Sequence, residues 1–581
     1  MNIIIQKYIV WLLLASMNIV TTSTFIVYLD KWYIYLFILG LASSINAASA
    51  LLMLGYRMFS QNKDTHYRIH PLDYLYIVPC YNESEEELSR SINSITSQQI
   101  VPGDRRSMII ICDGKVIGQN NIISTDKILK KILKHSTTPY FYEYTTWDNN
   151  KNTCSVYDGI YEYENYSMNY ILIVKNKNYG KRDSIVLARK LCYCYNTRTL
   201  IDDMIGPKMI KRIGCILSKV HNETIDYIVG IDADTVFDYN CTYELIKMID
   251  SDNSIHGCVG FVDICPSMNS YSPYVLYQYA EYVFAQCLRR QTQSSITSKV
   301  SCLSGCNQIL RVSEETCGNK ILQQFNYLPK DDDNIFNHIR SYASEDRNHV
   351  CLMLSIYPYV KTKQTLKAIS YTLVPTSVKV FMSQRRRWSL GANANDMLLV
   401  YLPGINIFER ISAFINVCTY VFSPFIFVAT IFFIKSIIEC PTYLMLYLSI
   451  PIIIPLLYSF MIPIFIKQQP FKQALYFYLS YLFFTIFGCI INLLIYFNSV
   501  LNMDVIKWGK TRTISTIKNS IDYSVDKDEA IDGFVDGFVD GFIDDIVDND
   551  TILIIRDEDS VNYEYDDTIY DTKIDKEKWY V

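Results

Sequence analysis

A chain of 581 residues can hold a sizeable core, and length alone suggests roughly three or four domains. Its 17 cysteines include no C-x-x-C pair and no zinc-like spacing, and Cys302 and Cys306 stand too isolated for a metal site; a zinc module is therefore excluded and reduced, buried thiols are expected. The net charge of −5 hides an asymmetry: residues 519–581 carry 20 acidic and 5 basic side chains, which leaves residues 1–518 at +10, a basic body suited to anionic headgroups or an anionic substrate.

Residues 8–29 and 33–55 are nearly uncharged apolar segments of membrane-spanning length. The first is too long for a signal-peptide core, lacks a convincing cleavage site and runs straight into the second, so it is expected to be a span and not a cleaved leader. Tyr56, Arg57, Lys63 and Arg68 follow the pair and place the next 350 residues or so in the cytoplasm by the positive-inside rule. The N-x-S/T matches at Asn82, Asn165, Asn222 and Asn240 are then chance.

Within this insert, apolar runs at 74–78, 108–111, 170–174 and 227–231 each read as a strand that ends in a polar loop, and helical sequence follows. Strand, loop and helix repeated in this way predict a doubly wound, parallel α/β sheet whose polar tips share one edge. The tips carry Pro79, Tyr81 and Glu83; then Asp113; then Gly180, Lys181 and Arg182; and finally Asp232 and Asp234. Carboxylates such as Glu83 and Asp113 can accept from a nucleoside, Gly180 lets backbone approach a phosphate, and Lys181 and Arg182 supply counter-charge. Asp232 and Asp234 fall on one face just beyond their strand. Two carboxylates so close suit a hard cation, Mg²⁺ or Mn²⁺, that already carries a diphosphate. Singly, each tip also fits an ordinary turn; four on one edge fit a site. Residues 116–169 read as an insertion without a clear pattern.

Residues 257–262 predict another strand and 271–293 a helix, with Cys302-Leu303-Ser304-Gly305-Cys306 as a small-residue turn against which a sugar could lie. Ser344-Glu345-Asp346-Arg347 is placed to start a helix, capped by Ser344. Asp346 paired with Arg347 could stay ionised and take a proton from a hydroxyl. In Ser383-Gln384-Arg385-Arg386-Arg387-Trp388, helical spacing puts Gln384, Arg387 and Trp388 on one face, which offers an amide, a guanidinium for a diphosphate and an indole for a sugar ring. Arg385 and Arg386 point elsewhere, toward lipid headgroups. Further apolar segments follow at 411–434, 443–466 and 474–497, then a basic segment at 501–518 and an acidic, disordered tail at 519–581 with Asp-Gly-Phe-Val repeats. Two plus three spans would leave the basic segment outside, so one apolar stretch is expected to be re-entrant or double.

From about residue 72 to residue 512 the chain resembles the chitin synthases among the processive family-2 glycosyltransferases. The resemblance rests on VPCYNE (78–83), CDG (112–114), GKRDS (180–184), DADT (232–235), CLSGC (302–306), EDR (345–347), QRRRW (384–388) and WGKTR (508–512). It implies a GT-A-like α/β domain (57–404), its doubly wound sheet mixed or parallel, between N-terminal (1–56) and C-terminal (405–500) transmembrane helices. Pro79, Tyr81, Glu83, Asp113, Gly180, Lys181, Arg182, Asp232 and Arg387 would bind the nucleotide sugar, and Asp232 and Asp234 the Mg²⁺ or Mn²⁺. Asp346, with Glu345, would be catalytic; Ser304, Gly305, Cys306, Gln384 and Trp388 would line the acceptor site and channel. The implied reaction is inverting, processive transfer of GlcNAc from UDP-GlcNAc to a growing β-1,4 chain, in a plasma membrane or, for a viral source, a host-cell membrane. The implied partners are UDP-GlcNAc, the growing chitin chain and the lipid bilayer, with a homodimer left open and no nucleic acid. Rival readings are a hyaluronan or other processive β-glycan synthase and a non-catalytic membrane scaffold.

Overall fold

The structure, a computed structural model, describes residues 2–29, 35–59, 70–118, 121–135, 138–264, 272–439, 443–467 and 469–505. Lys63, Arg68, the WGKTR motif and the acidic tail lie outside the described residues.

Among the described residues ten strands form one sheet: β1 (Asp73–Cys80), β2 (Arg105–Cys112), β3 (Tyr140–Thr145), β4 (Lys151–Tyr163), β5 (Tyr166–Lys175), β6 (Tyr227–Gly230), β7 (Val236–Phe237), β8 (Ile255–Ile264), β9 (Gln308–Arg311) and β10 (Lys361–Thr372). Their order is β3-β4-β5-β2-β1-β6-β9-β8-β10-β7. The four strands expected from the apolar runs are neighbours and all parallel, with Cys80 beside Cys112 and Cys112 beside Val174. Their loops therefore open on one edge. Alternation buries both faces: Ile77, Ile109, Ile111, Ile171 and Ile173 pack under helices Gly180–Thr197 and Pro207–Leu217, while Tyr76, Val78, Ile110, Leu172 and Val229 pack with helices Glu85–Thr96 and Cys241–Asp250.

Taken whole, the sheet is mixed, one of the two forms expected. β9 runs antiparallel between β6 and β8, and β10 returns parallel to β8. Residues 116–169 are not patternless either. They include helix Thr125–Ile132 and the long β3–β4–β5 meander, which widens the sheet by antiparallel pairing from Tyr163–Tyr166 out to Cys154–Lys175. The helix expected at 271–293 forms as Pro273–Phe284 and continues through two π-helical stretches to Thr297.

Among the described residues, helices Ile3–Val27, Ser449–Ile466 and Phe471–Leu501 are long and apolar enough to cross a membrane. Helix Leu36–Phe59 occupies the second expected segment. The stretch 411–434 is not one straight span: helices Ile407–Val421 and Ser423–Glu439 meet at 79°, and they make a fourth span only if they cross together. The physical reason is local. Pro424 has no N–H to continue the ladder, and Asn18 of the first helix clasps the break, donating from Nδ2 to the Val421 carbonyl (2.8 Å) and accepting from Phe425 N–H (3.1 Å). Groups freed by the bend are thus satisfied inside apolar surroundings.

Candidate functional site

The loop-bearing edge of the sheet closes against helices Glu345–Ile356 and Val378–Tyr401 around a cavity of about 670 Å³. Pro79, Tyr81, Glu83, Asp113, Lys181, Asp232 and Asp234 line it from the strand tips; Ser304, Gly305, Cys306, Glu345, Asp346, Gln384, Arg387 and Trp388 line it from the remaining elements. Stretches 300 residues apart in sequence thus share one space.

Glu83 Oε2 accepts from Tyr81 N–H at 2.7 Å, which turns the β1 loop toward the cavity. Asp113 is buried, accepts from Tyr179 N–H (3.1 Å) and faces the Lys175 ammonium at 3.2 Å. Lys175 in turn contacts Asp183 at 2.5 Å. This buried Lys between two carboxylates escapes a sequence reading, although a Lys that ends an apolar strand is its signal. Lys181 Nζ lies 2.7 Å from Asp232 Oδ1 and 3.5 Å from Glu345 Oε1. Burial opposes its charge, but Asp232, Asp346 and Glu345 hold the Lys181 pKa well above its usual value.

Asp346 lies in the first turn of helix Glu345–Ile356. Its Oδ2 accepts from Gly305 N–H at 2.8 Å, and its Oδ1 is buried with no hydrogen-bond partner. Burial pushes the Asp346 pKa up to about 6; Lys181 opposes that shift, while Glu345 and Asp232 add to it. For Glu345 burial is outweighed by Lys181, Arg387 and Arg182, which keep it below the usual carboxylate range. Gly305 is required by the close approach, because a Cβ there would lie 2.7 Å from Asp346 Oδ1. Two details differ from expectation. Ser344 precedes the helix but makes no side-chain cap, with φ at 57°. Arg347 pairs with Asp396 at 2.5 Å and not with Asp346.

Arg182 also departs from the expected donor role. One residue along the helix from Lys181, it turns about 100° away and is buried, donating to the carbonyls of Phe325 (2.6 Å) and Arg340 (2.8 Å). Its guanidinium lies over the Phe325 ring at 4.5 Å and the Trp147 ring at 5.7 Å. Gly180 begins that helix at φ 85° and does not line the cavity. On the QRRRW helix, Arg385 is buried and pairs with Glu281 at 2.5 Å, so it is not available to lipid headgroups. It lies over the Trp388 ring at 4.4 Å, and Tyr282 flanks that ring at 6.0 Å. Arg290, which the sequence reading passes over, lines the cavity and donates to Ser304 Oγ at 2.9 Å.

Among the described residues no group of three or more His, Cys, Asp or Glu is preassembled around a metal. Asp232 and Asp234 supply two hard oxygen donors on the cavity wall, with room beside them for a diphosphate, which fits a divalent cation completed by substrate and water rather than an all-protein cage.

A family model described as chitin synthase matches residues 53–535. "Chitin synthase 8" of Gibberella zeae is 34% identical over 451 residues, covering 75% of this chain and 66% of that protein. "Chitin synthase 8" of Verticillium dahliae is 32% identical and covers 64% of each chain. "Chitin synthase 4" of Cryptococcus neoformans is 28% identical, over 78% of this chain and 36% of its own length. The chain therefore spans just under two thirds of the first two relatives and about a third of the last. A solved mannosyltransferase from Pyrobaculum calidifontis, in complex with GDP-Man and Mn²⁺, is 10% identical with a TM-score of 0.38, covering 77% of this chain and 97% of that one. With a family model matched over most of its length and with these relatives, the chain belongs to the chitin synthase family.

Proposed function

We propose that this protein polymerises GlcNAc from UDP-GlcNAc, adding each sugar to the 4-hydroxyl of a growing β-1,4 chain with inversion at the anomeric carbon. The observation that supports this most is the buried, unpartnered Oδ1 of Asp346, on the same cavity as the Asp232–Lys181 pair and the Gln384, Arg387 and Trp388 face. In this reading Asp346 accepts the proton of the acceptor hydroxyl, whose oxygen bonds to the sugar carbon as the bond to UDP breaks. Lys181 and Arg387 neutralise the charge that gathers on the departing diphosphate. Asp232 and Asp234 would hold Mg²⁺ or Mn²⁺, which supplies Lewis-acid stabilisation of that same diphosphate. Glu83, Asp113 and Tyr81 orient the nucleoside, and Trp388 stacks on the acceptor sugar where Ser304, Gly305 and Cys306 leave space for it. The domain faces the cytoplasm, where nucleotide sugars are found, and the apolar helices that follow the QRRRW helix carry the polymer across the bilayer.

Replacing Asp346 by Asn tests the assignment. The shape of the site is kept and the base is lost, so turnover should fall by about 10³-fold or more, while titration with UDP should give an affinity within about twofold of the parent. Polymer formation at the parental rate would remove Asp346 from this role.

A further inference from the structure

The Arg347–Asp396 pair takes no part in the chemistry proposed above, yet it links the elements that carry that chemistry. Arg347 follows Asp346 and lines the cavity, and its guanidinium donates to Asp396 Oδ1 at 2.5 Å. Asp396 is buried two turns beyond Trp388 on the QRRRW helix, with Arg289 4.0 Å from its Oδ2. That Oδ2 accepts from Asn416 Nδ2 at 3.0 Å. Asn416 belongs to Ile407–Val421, the first limb of the bent apolar pair.

Two further contacts fix the same register. Asn348 Nδ2 donates to Asn395 Oδ1 at 3.0 Å, and Gly391 lies so close to Ser344 that a Cβ would collide with its hydroxyl. The limb Ile407–Val421 is also tied to the other wall of the cavity. Glu409 accepts from Gln293 Nε2 and Thr297 Oγ1, each at 2.6 Å, and Gln293 reaches Ser301 at 3.2 Å, one residue before the CLSGC turn.

We propose that Asp396 is a positioning residue: it holds Arg347, and through the helix backbone Asp346, in register with the Trp388 face, and it makes that register depend on how Ile407–Val421 is seated. This rests on the reading of Asp346 as the base. The donor carboxylates stand on the sheet edge, outside the network, so its loss should slow transfer without weakening nucleotide binding. A base displaced by about 1 Å costs on the order of 10²-fold in rate.

The experiment uses the purified full-length chain, with UDP released from UDP-GlcNAc as the rate, UDP titration for affinity and thermal unfolding for integrity. D396N should lose on the order of 10²-fold in turnover with UDP affinity unchanged. D396E should recover most of it. N416A, which leaves the ion pair intact, should show a smaller loss in the same direction at an unchanged unfolding temperature. The double variant D396N/R347Q removes both buried charges together and so keeps the fold testable where a lone Arg347 would unfold it; it should be as slow as D396N. Parental turnover in a folded D396N or double variant overturns the proposal, as does a loss of UDP affinity that keeps step with the loss of rate. A parent that turns over no UDP-GlcNAc removes the transferase reading and this proposal with it; an active parent beside an indifferent D396N removes this proposal alone.

Discussion

A carboxylate that is to take a proton from a sugar hydroxyl must be ionised at working pH and poorly hydrated. For Asp346 as the proposed base, burial supplies the second condition, and Lys181 works against burial to supply the first. The sign of the pH dependence follows. Because the Asp346 pKa is pushed up to about 6, turnover in the free enzyme should be full above that pH and fall as Asp346 is protonated below it, with a slope approaching tenfold per pH unit. Removing the Lys181 charge with Lys181→Gln should raise that pKa further and move the acid limb to higher pH; a pH–rate profile of the two chains checks it. Arg182 makes the contrasting case. Its guanidinium serves two backbone carbonyls and two aromatic faces, so Arg182→Ala should cost about 3 kcal/mol of stability and leave UDP affinity in the folded protein unchanged, as denaturant unfolding and titration would show. GKRDS reads as one phosphate motif in sequence, yet consecutive helical residues face different ways, and only Lys181 of the basic pair lines the cavity.

At the scale of elements, strands β1, β2, β5 and β6 were legible because strands buried on both faces are continuous apolar runs, and each ends in polar residues at a shared edge. The β3–β4 meander was not, because edge strand β3 is largely exposed and β4, though paired on both sides, mixes Lys, Asn, Thr, Ser, Asp and Gly among its apolar residues and so resembles a loop. The Arg347–Asp396 and Lys175–Asp113 pairs were hidden for a different reason: they join residues 49 and 62 positions apart, and nothing local marks the partner. Span parity called for one irregular apolar stretch, but the place of the break, Phe422, was hidden because hydropathy reports length and not direction. A single polar side chain, Asn18, fills the corner. Asn18→Leu should strand the Val421 carbonyl and the Phe425 N–H in apolar surroundings and cost about 2 kcal/mol; thermal unfolding in detergent is the measurement.

At the scale of the molecule, the sheet domain and the apolar helices pack as one body. Helix Pro273–Phe284 lies along Phe471–Leu501, with Tyr277 donating from its hydroxyl to Asn492 at 3.0 Å. Near the start of the chain, Gln6 donates from Nε2 to the Asp333 carbonyl at 2.8 Å and accepts from Ile335 N–H at the same distance. Polar contacts thus join the sheet domain to apolar helices at both ends of the chain, an arrangement that the proposed delivery of product into those helices would use. The most direct test is to supply the purified protein, with Mn²⁺ or Mg²⁺, with labelled UDP-GlcNAc, UDP-glucose and UDP-glucuronic acid in parallel and to digest any polymer with chitinase. The account predicts polymer from UDP-GlcNAc alone, fully released by chitinase. Polymer that needs UDP-glucuronic acid or resists chitinase, or no turnover of UDP-GlcNAc at all, would contradict it.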